Sequence, residues 1–488
     1  MHQFLAQRYR AILGYTGLVC SISGITILMP LLALPAYPDE MSLAWSYLLP
    51  GLTLTLLGIL GWKTLAPKQP LSLTLSEGSV IVVLAWVISI LVSTVPLITT
   101  AGLTFTQAVF EATSGWTTTG LSVVDVEQAS ALILLFRSTI ELVGGAGLAI
   151  VTLSALAGPV GASLPAAEGR TEQLAPNVRR SAKLVLSIYS GYTAVGIVAL
   201  RIAGMGWFDA VNHSFAALST GGFSTRADSI GYWDSPAIEM VTIVLMLGGT
   251  LNFVTSYLLL TGRFQAVVKN GEVRLQALLI PLSTLILFVG VTTRLYPTTA
   301  KALRVASFEM ISALSTTGFS TVGYDDWSSL GWLIMIILML IGGGAGSTAG
   351  GIKQYRVYVL YRALLWEIKR MLLPQQAVTE PRSWQGEHRH FLSDGLIRQI
   401  SLFVFLYLLV FGMGSCIMVA YGTPLPDSLF EYASSLSTVG LSVGVTAADA
   451  PMGLLWTQTL GMILGRLEFF TIFVGVIRLC RDIPALLR

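Results

Sequence analysis

Apolar residues come in runs of about twenty along almost the whole chain, separated at a recurring interval by short polar, glycine-bearing stretches. A helix rises about 1.5 Å per residue, so roughly 20 apolar residues cross a bilayer's hydrocarbon core. Two such runs come first, at about 11–34 and 44–61. One unit then repeats four times: a membrane helix, a shorter apolar half-helix, a Thr-Gly stretch and a second membrane helix. The first copy spans about 77–99, 106–116, 117–122 and 129–157, and the second 182–204, 207–218, 219–224 and 236–262. The third spans 275–295, 301–314, 315–320 and an interrupted 328–368; the fourth spans 396–421, 425–436, 437–442 and 452–480. The pattern predicts an all-α integral membrane protein with ten spanning segments and four half-helices. Two extra transmembrane helices (1–70) precede four tandem helix–pore-loop–helix repeats (71–160, 161–265, 266–372, 373–488) around one pseudo-fourfold pore.

The Thr-Gly stretches are Thr117-Thr118-Thr119-Gly120-Leu121-Ser122, Ser219-Thr220-Gly221-Gly222-Phe223-Ser224, Ser315-Thr316-Thr317-Gly318-Phe319-Ser320 and Ser437-Thr438-Val439-Gly440-Leu441-Ser442. Nine residues before each glycine sit Glu111, His213, Glu309 and Glu431. Self-similarity at a fixed interval sets the architecture of a chain. Nine residues of helix rise about 13.5 Å, which predicts that these four residues lie near the start of each half-helix and bond the structure behind the motif.

Composition fixes the setting. The chain is 54% apolar and 11% charged, with a mean hydropathy of +0.73, whereas soluble domains carry about 25% charged residues. Arg8 and Arg10 before the first run resemble a signal peptide, but the run is too long for its apolar region and reads as an uncleaved helix. With the N-terminus inside, 22 of the 29 Lys and Arg residues fall on inner loops and termini, which predicts cytoplasmic termini and outward-opening Thr-Gly motifs. The longest inner loop, about 369–397, is basic and polar and reads as a tether or docking surface. Cys20, Cys416 and Cys480 are too scattered for a disulfide framework or zinc site, and His388 and His390 have no Cys partners.

Backbone that leaves a helix at membrane depth must be buried in protein or line a wet cavity. A half-helix ending in Thr-x-Gly aims partly negative carbonyls at a common axis, and glycine allows the backbones to approach. Four such loops replace an ion's hydration shell in potassium filters. The predicted filter is Thr118, Thr119, Gly120, Leu121, Thr220, Gly221, Gly222, Phe223, Thr316, Thr317, Gly318, Phe319, Thr438, Val439, Gly440 and Leu441. No carboxylate lies in these motifs, which favours a monovalent ion. Acids after the motifs (Asp125, Glu127, Asp228, Asp325, Asp326 and Asp449) would form a cation-concentrating outer vestibule, or are ordinary loop acids.

The second helix of the third repeat is interrupted by Gly342, Gly343, Gly344, Ala345, Gly346, Ser347, Thr348, Ala349, Gly350 and Gly351. Each glycine costs about 1 kcal/mol in a helix interior. The run lacks the Walker lysine and a preceding strand, so it is no phosphate loop. It predicts an unwound plug beneath the filter, with close helix packing as the competing reading. Arg466, inside the last apolar run, needs a partner, and the carbonyls of 342–351 are candidates.

With these motifs in view, the chain resembles the membrane subunit of the bacterial Trk/Ktr potassium-uptake superfamily, which also includes plant HKT carriers. The four Thr-x-Gly stretches, Gly346-Ser-Thr-Ala-Gly-Gly-Ile-Lys353 and Gly465-Arg-Leu-Glu468 look like that family's motifs. The two leading helices and the second filter are most like its TrkH branch, while Thr438-Val439-Gly440-Leu441 is closer to KtrB. The resemblance implies transport of K+ bound at the filter residues, a homodimer with one pore per subunit, and a bacterial inner-membrane location. It also implies a TrkA- or KtrA-like cytoplasmic ring that binds ATP/ADP or NAD, a gate at 342–351, and Arg466 as a barrier below the filter. The chain itself shows no cofactor motif, no nucleic-acid signature and no nucleophile–base pair, so it does not read as an enzyme. A sodium-permeable member and an ion-coupled carrier of organic solutes are the alternatives; broken helices in inverted repeats would mark the carrier.

Overall fold

The computed structural model describes residues 2–67, 73–147, 178–374, 382–385 and 388–486. Two helices lead, α1 (His2–Leu28) and α2 (Trp45–Leu65). They pack backbone to backbone: a β-carbon on Gly17 would lie 2.8 Å from the Gly58 carbonyl, and one on Gly58 would overlap the Gly17 carbonyl. Small residues let apolar helices approach this closely inside a membrane.

Repeat 1 is built from α3 (Leu75–Ala101), the half-helix α4 (Phe105–Trp116) and α5 (Ala131–Ala146). Repeat 2 consists of α6 (Val178–Ala203), the half-helix α7 (Trp207–Ser219), α8 (Pro236–Thr250) and α9 (Phe253–Leu260). Repeat 3 has α10 (Gly271–Leu287), extended by further helical turns to Leu295, the half-helix α11 (Thr299–Ser315), α12 (Ser329–Ile341) and α13 (Gln354–Met371). Repeat 4 has α14 (Asp394–Ala420), the half-helix α15 (Leu425–Leu436), α16 (Met452–Leu467) and α17 (Phe469–Leu486). Six helices among the described residues are long and apolar enough to cross a membrane. The chain is an all-α, multi-pass membrane protein. A two-stranded hairpin, Arg382–Gln385 against His388–Phe391, occupies part of the long polar loop, where Lys269 lies 5.3 Å from the Trp384 ring centre.

The structure corrects the second helices of the repeats. The expected continuous helix at 236–262 is broken, with α8 and α9 bent by 116°. Leu251 and Asn252 are extended there, and the Asn252 side chain caps α9 by accepting from Val254 N–H at 2.7 Å. The expected helix at 452–480 is bent by 103° at Glu468, which has φ +60°. In repeat 1 the helix ends at Gly147, and the remainder of the expected 129–157 segment lies outside the described residues. Among the described residues the glycine run is therefore the longest of several breaks.

The chain ends are tied together. Arg8 of α1 and Arg478 of α17 both pair with the buried Glu77 of α3, and Asp482 bonds Tyr9, Arg478 and Arg481. Replacing Gly58 with Leu should force α1 and α2 apart and cost about 1–3 kcal/mol. A lowered Tm of the detergent-purified protein, with the spectrum of a helical protein retained, would be the observed result.

Candidate ion pathway

Each half-helix ends in the same way. Thr118, Thr220, Thr316 and Thr438 turn left-handed (φ +52° to +56°), the next residue does not, and Gly120, Gly222, Gly318 and Gly440 do again (φ +81° to +98°). The residue before each glycine donates its N–H back into the half-helix: Thr119 to Ser114 O, Gly221 to Ala216 O, Thr317 to Ser312 O and Val439 to Ser434 O, at 2.8–3.0 Å. N–H and C=O of a trans peptide point oppositely, so this pattern frees carbonyls to face away from the helix.

The four segments close into a ring. A β-carbon on Gly120 would overlap the carbonyl oxygen of Gly221; one on Gly222 that of Thr317; one on Gly318 that of Val439; and one on Gly440 that of Thr119. Each glycine thus sits against the carbonyl of the next repeat, and the fourth returns to the first. Only glycine combines this approach with a positive φ.

The residues nine positions upstream do bond the chain beyond the glycine, but from mid-helix rather than its start. The segment after each glycine doubles back alongside its half-helix. Glu111 accepts from Ser122 Oγ and Val123 N–H, both at 2.9 Å. Glu431 accepts from Ser442 Oγ at 2.8 Å and Val443 N–H at 3.1 Å, and Glu309 accepts from Thr321 N–H and Oγ1 at 2.7 Å. In repeat 2, His213 bonds the Asp209 carbonyl through Nδ1 (2.8 Å), so its Nε2 accepts from Ser224 Oγ (3.0 Å).

Residues 342–353 are non-helical and lie against the inner ends of the ring segments. Thr348 Oγ1 is 3.2 Å from Thr220 Oγ1 and donates to Gly249 O, while Gly350 N–H donates to Thr316 Oγ1 at 2.8 Å. A β-carbon on Gly350 would overlap Ser437 O and Thr438 Oγ1. Three repeats therefore hold the segment. The break in repeat 2 supplies acceptors: Gly344 N–H donates to Thr250 O (3.0 Å) and Thr348 N–H to Gly249 O (3.3 Å). Asn252 donates to Ala345 O, and Glu272 accepts Ala345 N–H at 2.7 Å.

Arg466 departs from expectation. Among the described residues its guanidinium donates to Gly144 O (2.6 Å) and Gly145 O (3.3 Å) at the end of α5, not to the candidate carbonyls of 342–351. The last carbonyls of a helix lack intrahelical partners, and repeat 1 is the neighbour of repeat 4 in the ring. Arg356 of α13 pairs with Glu468 at the α16–α17 bend (2.6 Å).

Outside the ring a cavity of about 600 Å³ is lined by all four ring glycines and by Asp125 and Asp228, together with Arg137 and Arg226. Glu127, Asp325, Asp326 and Asp449 do not line it. Sequence reasoning missed Arg137, Glu141, Asn252 and Glu272. Arg137 pairs with Glu111 at 2.7 Å, both buried. An Arg and a Glu one turn apart inside an apolar run was a legible signal, because intramembrane charge is costly and retained for a purpose.

Four helix–pore-loop–helix units around one axis, with carbonyls ringed at the end of half-helices, define a channel-like membrane transport protein. The family model for TrkH, a cation transport protein, matches residues 52–481. The chain belongs to the TrkH family. It is 31% identical to an uncharacterised cation transporter of Methanocaldococcus jannaschii over 95% of this chain and 94% of that protein. It is 30% identical to the Trk system potassium uptake protein TrkH of Escherichia coli K12, over 96% of this chain and 98% of that one. The crystal structure of the potassium transporter TrkH from Vibrio parahaemolyticus superposes with a TM-score of 0.82 at 28% identity, covering 96% of this chain and 98% of that one.

Arg137→Ala should leave Glu111 buried and unpaired, costing about 3–5 kcal/mol. Arg137→Met with Glu111→Leu should recover most of that loss. Thermal unfolding of the single and double variants measures both.

Proposed function

We propose that this chain is the translocation subunit of a potassium-uptake system. The observation that carries the reading is the closed ring: four glycines, each against the carbonyl of the next repeat. The filter residues are Thr118–Leu121, Thr220–Phe223, Thr316–Phe319 and Thr438–Leu441, and K+ is their substrate. Carbonyls held by the half-helix ends replace the hydration shell of the ion. The potassium-uptake function of relatives similar over nearly their whole length supports this choice of ion.

Residues 342–351 act as the gate. With the segment in place, Thr220 and Thr316 engage it rather than an ion, and Arg466 sets a fixed positive charge beside the path below the filter. Opening moves the segment off those hydroxyls. The chain from Lys353 continues as α13 toward the hairpin loop, so a soluble partner docked at 369–397 would pull on the gate directly. In this reading the partner is a cytoplasmic nucleotide-binding ring, both termini are cytoplasmic, and the subunit pairs as a homodimer.

Ion flux into liposomes containing this chain tests the reading, with potassium or sodium gradients as the two arms. Flux that favours potassium is expected; equal flux of both ions would instead establish a sodium-permeable pore. Gly318→Ser should lower the potassium-over-sodium permeability ratio more than it lowers the yield of folded protein, because the added side chain meets the Val439 carbonyl. Deleting Gly344–Thr348 should raise flux and weaken control by the partner, and Arg466→Ala should raise flux by removing a cation barrier. A folded deletion variant with unchanged, fully regulated flux would place the gate elsewhere.

A further inference from the structure

One quarter of the ring is built unlike the rest. In repeats 1 and 3 the residue before the filter glycine is Thr, and its hydroxyl bonds one two residues earlier: Thr119 with Thr117 and Thr317 with Ser315, each at 2.7 Å. In repeat 4 it is the fully buried Val439. These side chains fill the space behind the ring. In repeat 2 the residue is Gly221, and a β-carbon there would overlap the carboxyl group of Glu141, which occupies that space instead.

Glu141 comes from α5 of repeat 1 and is 0% exposed. Its Oε1 accepts the Phe223 N–H at 3.1 Å, and its Oε2 has no hydrogen-bond partner among the described residues. One turn earlier on the same helix, Arg137 lies 3.9 Å from the Phe223 ring centre and donates to Ser224 O at 3.4 Å. A single helix therefore grips the second filter segment from behind at both its backbone and its side chain.

We propose that Glu141 is a specificity-determining positioning residue of the filter, standing in for the side chain that Gly221 lacks. The proposal rests on reading the ring as a potassium filter. The Phe223 N–H and the Gly222 carbonyl belong to one trans peptide and point in opposite directions. An acceptor held behind that N–H aims the Gly222 carbonyl at the axis. Without it the peptide is free to rotate, the carbonyl spacing relaxes, and the smaller sodium ion is admitted.

The test is the potassium-over-sodium permeability ratio of liposomes containing wild-type protein or one of four variants. Glu141→Ala should lower the ratio about tenfold, the scale of one lost buried hydrogen bond. Glu141→Asp keeps the carboxyl group but withdraws the acceptor, and should also lower it. Glu141→Gln keeps an acceptor oxygen at the same reach and should hold the ratio within about twofold of wild type. Glu141→Ala combined with Gly221→Thr should not recover selectivity, because the new hydroxyl fills the space and bonds Ser219 but gives the Phe223 N–H no acceptor; recovery would overturn the proposal by making filled space the cause. If Glu141→Ala does not fold, the aspartate and glutamine variants carry the comparison. A selective wild type whose ratio is unchanged in the folded alanine and aspartate variants overturns this proposal alone. A glutamine variant as unselective as alanine also overturns it, by making charge rather than the acceptor the cause. A wild type that does not discriminate overturns the potassium reading itself.

Discussion

The structure depends on one constraint: backbone that leaves a helix inside a membrane must find a partner for every polar group, because lipid offers none. The protein meets it in two adjoining stretches. In the ring segments, the N–H groups of Thr119, Gly221, Thr317 and Val439 turn back to the half-helices, which on the proposed reading leaves carbonyls for an ion. In the segment below, carbonyls and N–H groups are distributed among Gly249, Thr250, Asn252, Glu272 and the filter hydroxyls themselves. The bend between α8 and α9 thus has a use: it uncovers acceptors that a continuous helix would have spent on itself.

Much of this was legible in the sequence. The fourfold motif, its upstream acid or histidine, and the glycine run are all deviations from what an apolar helix tolerates, so they stand out against a hydrophobic background. The broken second helices of repeats 2 and 4 did not, because each break rests on one or two residues. Asn252 is a residue type that caps helices, but a single Asn in an apolar run is a weak signal, and Glu468 adopts a left-handed conformation that its residue type rarely takes. Their conformations are set by what they bond to, which lies far away in sequence.

The placement of partners shows the same limit. Arg466 needed acceptors, which its composition announces, but the choice between the glycine-rich segment and the end of α5 depends on which repeats are neighbours around the axis. The upstream Glu residues were expected near helix starts because the count of residues was treated as a straight rise. The chain instead reverses at the filter and returns beside its own half-helix, which brings Glu111 level with Val123. Spacing along a helix is reliable only until the helix ends.

The two kinds of contact in the filter differ in reach, and this bears on biosynthesis. The bonds from Glu111, His213, Glu309 and Glu431 to the residues just beyond each glycine stay within one repeat and span 11 or 12 residues. The ring contacts cross between repeats, and the last joins Gly440 to Thr119. During synthesis each quarter can therefore fix its own re-entrant loop as soon as it is inserted, while the axis stays open along one side. Only when the final repeat leaves the ribosome does the wall seal, so a truncated chain would retain well-formed loops yet enclose no passage.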